Sequence, residues 1–155
     1  MSFRALLIAV FLCAAASLDA QTKSKIIPAD WLPALAPSIK STLDQLRDAS
    51  SQAEMNRLSR EVADMTDAQL FIAYVRLYEK LPPKERETLF EEQTAWLEKR
   101  PSVAKKAVES KGGSLAPLEA NNAELTYSEK RLAELRARLK TAGAKKKSTS
   151  TDEEE

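Results

Sequence analysis

Histidine is absent from the 155 residues of this chain, and cysteine occurs once, at position 13. The lack of histidine removes the commonest general base and the commonest zinc ligand. It also excludes a Ser-His-Asp triad. With Cys13 inside the N-terminal leader described below, thiolate nucleophiles, thiolate metal sites and a disulfide are excluded from the rest of the chain. Glycine is almost as scarce, at positions 112, 113 and 143. Strictly alternating apolar and polar runs are missing, which leaves no half-buried strand to predict. Beyond position 20 no segment approaches the eighteen or so apolar residues of a membrane span. Charge of one sign is lacking too: 24 basic and 23 acidic residues leave a net charge of +1. A nucleic-acid protein would be expected to carry a basic face.

The clearest local signal is at the start. Arg4 precedes an apolar run from Ala5 to Ala16, and Leu18-Asp19-Ala20 before Gln21 is a plausible cleavage site. This reads as a secretory signal peptide over residues 1–20, with an apolar stretch too short to span a bilayer. Cys13 follows Leu12 rather than a small residue, which argues against lipid attachment. Its removal takes one charge of each sign, so the balance is unchanged. The expected location is periplasmic or secreted. At the other end, Lys145-Lys146-Lys147 runs into Asp152-Glu153-Glu154-Glu155 without an apolar residue. Residues 142–155 read as a disordered charged tail.

Between the ends, periods of three and four dominate, and the fold expected is all-α, a small bundle of about four helices. Residues 21–36 form a proline-containing N-terminal segment, with Pro28 and Pro33 around Trp31 and Leu32 opposing a regular helix. The helical domain is expected over 37–141. Its first helix runs from Pro37 to about Ala49 with Ile39, Leu43 and Leu46 on one face. The second spans about Gln52 to Lys80 with a stripe of Met55, Leu58, Val62, Met65, Ile72 and Val75, widened by Leu70, Tyr74, Leu77 and Leu81. A fresh start at Thr66 or Asp67 is the alternative. Pro82-Pro83 ends that helix. The third begins near Lys84 and carries Leu89, Phe90, Gln93, Trp96, Leu97 and Arg100, and Pro101 should kink or break it. Gly112-Gly113 is a stop signal. The fourth runs from about Leu118 to Leu139, with Leu125, Leu132, Leu135 and Leu139 inward and its Arg and Lys residues outward.

Five pieces of this sequence stand in a particular order: Met55-Asn56; Leu70 with Tyr74; Gln93, Trp96, Leu97 and Arg100; Gly112-Gly113-Ser114 with Pro117; and Arg131 with Leu135. In this order, over about residues 52–138, they resemble the LprI-like family of exported bacterial proteins, named for a member described as a lysozyme inhibitor. The resemblance implies a non-catalytic, exported binding protein whose partner is a protein. The family usually carries cysteines, which by register fall at Leu58, Ala104 and Ala123 here, and the asparagine that commonly follows its second-helix leucine is Phe71. An aliphatic replacement is physically sensible, because a buried leucine contributes about 1.5–3 kcal/mol against about 2–4 kcal/mol for a typical disulfide.

Two readings of the motif residues stand side by side. Trp96 and Arg100 could clamp a ligand, or Trp96 could anchor the core with Arg100 over its edge; a tryptophan within an apolar stripe favours the core. Glu91, Glu92 and Glu98 show no spacing that isolates a carboxylate pair for glycoside chemistry. They read as a solvated face. Lys111, Gly112, Gly113 and Ser114 form the candidate partner-binding loop, set against a simple helix stop. No Lys-Ser/Thr follows in phosphate-loop order, so a nucleotide site is not supported. No catalytic residue, cofactor or metal is expected. The function expected is steric inhibition of a lysozyme-like glycosidase, with a periplasmic helical interaction module as the alternative. The net charge of +1 does not supply the acidity that would suit a basic lysozyme.

Overall fold

The computed structural model describes residues 26–27, 35–110 and 112–149. The leader 1–20, most of the segment 21–36, Lys111 and residues 150–155 lie outside the described residues. Four helices and no strand make up the described residues: α1 (Leu35–Asp48), α2 (Gln52–Lys80), α3 (Pro83–Ala107) and α4 (Ala116–Thr149).

Local chemistry sets most of the boundaries. Ser51 caps α2, its hydroxyl accepting from the Glu54 backbone N–H, the first half of a capping box. At the far end of α2 the Leu81 N–H bonds the carbonyls of Leu77 and Tyr78. Arg86 reaches back from α3 to the carbonyls of Leu81 (2.7 Å) and Glu79 (3.3 Å). Its guanidinium also lies 5.3 Å from the centre of the Tyr78 ring. One cation thus satisfies the open carbonyl end of α2 and favours its negative dipole end. Pro83 then opens α3, where a missing N–H costs nothing.

The bundle has one parallel pair. Asn121 bonds Asn56, Arg60 pairs with Glu124, and Arg136 bonds Gln69, so α2 and α4 run the same way. Between them in sequence, α3 runs back against α4, with Gln93 on Arg131 and Glu92 on Arg138. α1 packs on α2. The main core joins Leu70, Ala73, Leu77, Leu81, Leu89, Leu132 and Leu135, with Tyr74, Tyr78, Trp96, Leu139 and Ala142 packed around it. Leu58 and Ala104, at two of the positions where the resemblance implies cysteines, are buried, and Ala123, at the third, is half-buried.

Several expectations change. α2 is unbroken at Thr66 and Asp67, because Thr66 is buried and the Asp67 carboxylate takes tertiary partners instead of capping. α3 continues through Pro101 to Ala107. Pro101 is exposed, so the carbonyl it leaves without a donor is open to water. α1 begins two residues before Pro37, which sits in its first turn. α4 outlasts the expected end at Leu139 and runs to Thr149, into the stretch expected to be a disordered tail. Alanine and lysine, which make up most of that stretch, are strong helix formers. Met55, Met65, Ile72 and Val75 are half-buried rather than core, while Ser59, Ala63, Thr66 and Ala73 are buried. Small side chains on that face let the backbones of α2 and α4 approach.

Candidate functional site

The loop between α3 and α4 lies at the end of the bundle where α2 and α4 both begin. Gly112 has φ +82°, the left-handed region that costs a side chain most, and a Cβ there would meet nothing within 4 Å. The requirement at Gly112 is therefore conformational, and the surrounding space is open. Gly113 donates to the Ser110 carbonyl at 2.7 Å, and the Ala116 N–H to the Gly113 carbonyl at 3.0 Å. Gly112, Gly113 and Ser114 are all exposed. Lys111, the remaining member of the expected binding loop, lies outside the described residues.

Two groups hold this loop from behind. Asn56 donates from Nδ2 to the Ser114 carbonyl at 2.9 Å and accepts from Gln52. Its own carbonyl takes bonds from Asn121 Nδ2 (3.2 Å) and the Ser59 hydroxyl (3.0 Å). Asn121 also donates to Ser59 Oγ at 2.9 Å, a buried contact between α2 and α4. On the α4 side, Glu119 Oε2 accepts from the Ser110 hydroxyl (2.7 Å) and from the backbone N–H groups of Ser110 and Glu109. These bonds, the Ser110 hydroxyl first, hold the Glu119 carboxyl below its ordinary range. A depressed folded-state value means the contribution is complete above the ordinary glutamate range and is lost as pH falls through the folded value. The amide resonances of Glu109 and Ser110 should therefore titrate with a midpoint below that of an ordinary glutamate, and Glu119→Gln should abolish the transition.

The family-type residues form a separate set inside the bundle. Trp96 is half-buried and stacks on Tyr127, with ring centres 5.0 Å apart and planes within 5°. Arg100 lies 5.9 Å from the Trp96 ring centre and pairs with Asp67 (2.5 Å) on α2 and Glu124 (3.0 Å) on α4. It therefore ties three helices together. Arg131, expected to face outward with the other cations of α4, is buried. It donates to Gln93 at 3.0 Å and pairs with Glu134 and Glu92. Leu70 and Leu135 are in the core, and Tyr74 packs against it, its hydroxyl pKa raised by burial first and by Tyr78 second. Met55 is half-buried at the start of α2. Leu97, placed with the apolar stripe by its spacing, is instead 52% exposed.

Sequence reasoning quoted Asn56 only beside Met55 and passed over Glu119 and Asn121. The usable signal was a run of polar residues on the inner faces of two helices, which means little until the partner helix is known. Among the described residues no group of three or more carboxylates, cysteines or histidines is placed to hold a metal, and no helix is long and apolar enough to cross a membrane.

A family model described as "Lysozyme inhibitor LprI" matches residues 44–135, more than half of the chain. No curated protein and no solved structure was found to match.

Proposed function

The chain belongs to the lysozyme inhibitor LprI family, and from that premise we propose that it is an exported, non-catalytic protein that binds a lysozyme-type glycosidase and blocks its cleft. Export rests on the leader read in residues 1–20. The blocking element is the turn at Gly112, Gly113 and Ser114.

One observation carries the reading: this turn is exposed at its tip and fastened at its base by Asn56 and Glu119. A loop already held in one shape loses little conformational freedom on binding, so more of its contact energy appears as affinity. Glycines at the tip allow another backbone to come close. The interior residues Trp96, Arg100 and Arg131 hold the helices that present the turn, and they need not touch the partner.

The test is lysis of a bacterial cell-wall suspension by several lysozymes, with and without the protein at micromolar concentration. Inhibition of at least one of them is expected. Ser114→Arg, at an exposed position, should weaken it about tenfold or more, the effect of losing roughly 1.4 kcal/mol at a contact centre. Asn56→Ala should weaken it as well by loosening the turn. Wild-type protein that neither binds nor slows any of the lysozymes would overturn the reading.

A further inference from the structure

On the four described helices three large apolar side chains are left on the surface: Phe71 at 62% exposure, Phe90 at 60% and Leu97 at 52%. Single exposed leucines are ordinary, whereas apolar groups that align are not. These align. On α3, Arg86 and Arg100 reach α2, through Tyr78 and Asp67. Phe90 is four residues beyond Arg86 and Leu97 three before Arg100, so both stand on the edge of α3 that turns toward α2. On α2, Phe71 is four residues beyond Asp67 and seven before Tyr78, on the edge that turns toward α3. Because the two helices form an antiparallel hairpin, Phe71 sits at the height of Trp96 and Leu97. α2 and α3 each pack on α4 and touch one another little, so the three residues flank an open seam between them.

The border of that seam is acidic. Glu87, Glu91 and Glu98 are exposed on the solvent side of Phe90 and Leu97. None of the three takes part in an ion pair among the described residues. Lys99, nine positions from Phe90, points to the opposite side of the helix at 100° per residue. Lys84 and Lys105 lie on the same stripe as the three glutamates, at its two ends, so the anionic stretch is its middle, from Glu87 to Glu98. A chain whose overall charge is balanced therefore carries an apolar strip with a local anionic rim.

We propose that this strip is a docking surface for a cationic protein: Phe71, Phe90 and Leu97 fill the dry centre of the interface, and Glu87, Glu91 and Glu98 meet lysine and arginine at its rim. An apolar centre within a charged rim is how specific interfaces divide affinity from steering. The proposal rests on the preceding reading, in which the cationic partner is a basic lysozyme. It supplies the acidity that the net charge of +1 does not. From Leu97 to the helix end at Ala107 the chain rises about 15 Å, so one globular partner can cover both the strip and the turn.

The experiment measures binding of the full chain to a strongly basic lysozyme, and to the same enzyme with its lysines succinylated. Phe90→Ser combined with Leu97→Ser should weaken binding about tenfold or more with an unchanged thermal midpoint, since both positions are exposed. Glu87→Lys, Glu91→Lys and Glu98→Lys together should slow association and flatten its dependence on salt. The succinylated enzyme should bind poorly. If the serine double variant binds as wild type while Ser114→Arg does not, the strip is overturned and the inhibitor reading stands. Binding to no lysozyme overturns both. A dimer of this chain that the serine double variant dissociates would show the strip to be a self-association surface, and would overturn the cationic-partner proposal.

Discussion

Leu77→Ala is expected to lower the stability of the domain by about 3 kcal/mol, within the 2–5 kcal/mol usual for emptying a buried leucine site. Leu77 has no exposed surface and lies among Leu70, Ala73, Leu81, Leu89, Leu132 and Leu135, contributed by α2, α3, α4 and the turn between α2 and α3. Helices of 25 to 34 residues cannot collapse locally around a missing isobutyl group, so much of the cavity should persist. No cysteine is present among the described residues to offset the loss. With the thermal midpoint of a domain this size moving several degrees per kcal/mol, a fall of about 10–20 °C is expected by circular dichroism. Leu97→Ala provides the comparison. The same chemical change at an exposed position of α3 should fall within about 0.5 kcal/mol of wild type. If the two variants melt alike, the core described here is misplaced.

The second large effect is expected at Arg100. A single nitrogen, Nη2, lies 2.5 Å from Asp67 and 3.0 Å from Glu124, and all three side chains are mostly covered. Arg100→Ala leaves two carboxylates facing each other across the gap and uncovers one face of Trp96. Glu124 keeps Arg60, and Asp67 keeps the Ser128 hydroxyl, so the loss is smaller than for a fully buried pair. About 2–4 kcal/mol is expected by chemical denaturation, against about 3–5 kcal/mol for breaking a fully buried bridge. The informative comparison is a triple variant, Arg100→Met with Asp67→Asn and Glu124→Gln. It removes the repulsion along with the attraction and should recover a large part of the lost stability, because the net worth of such a cluster over a neutral replacement is small. If the triple variant is no more stable than Arg100→Ala, the penalty comes from lost packing on Trp96.

Much of the architecture was legible in the residues. Leucines three and four apart called for helices, Pro82-Pro83 marked the turn between α2 and α3, and Gly112-Gly113 marked the next one. What misled was local reasoning about a single residue. Pro101 reads as a break, yet it falls where the open carbonyl faces water and both neighbouring turns are anchored, at Arg100 and Ala104. Lys145 to Lys147 read as tail, yet lysine is compatible with a helix already twenty-odd residues long. The candidate site was legible only at its tip. Gly112 and Gly113 announce a turn, while the side chains that fasten it, Asn56 and Glu119, lie far away in sequence or look like ordinary surface polar residues.

The sequence by itself determined that this chain is helical, that it works without histidine or disulfide chemistry, and that it carries the residues of a lysozyme inhibitor family. Each follows from composition, from period, or from motifs in order, and none requires a distant contact. Only the tertiary structure decided which face of each helix is inside. Apolar spacing placed Phe90 and Leu97 with the core and the cations of α4 in water. Packing departed from both, burying Arg131 against Gln93 and leaving the two apolar residues exposed. The reason is physical: a helix can bury only the sector its neighbours cover, and a polar residue is admitted to that sector when another helix brings its partner.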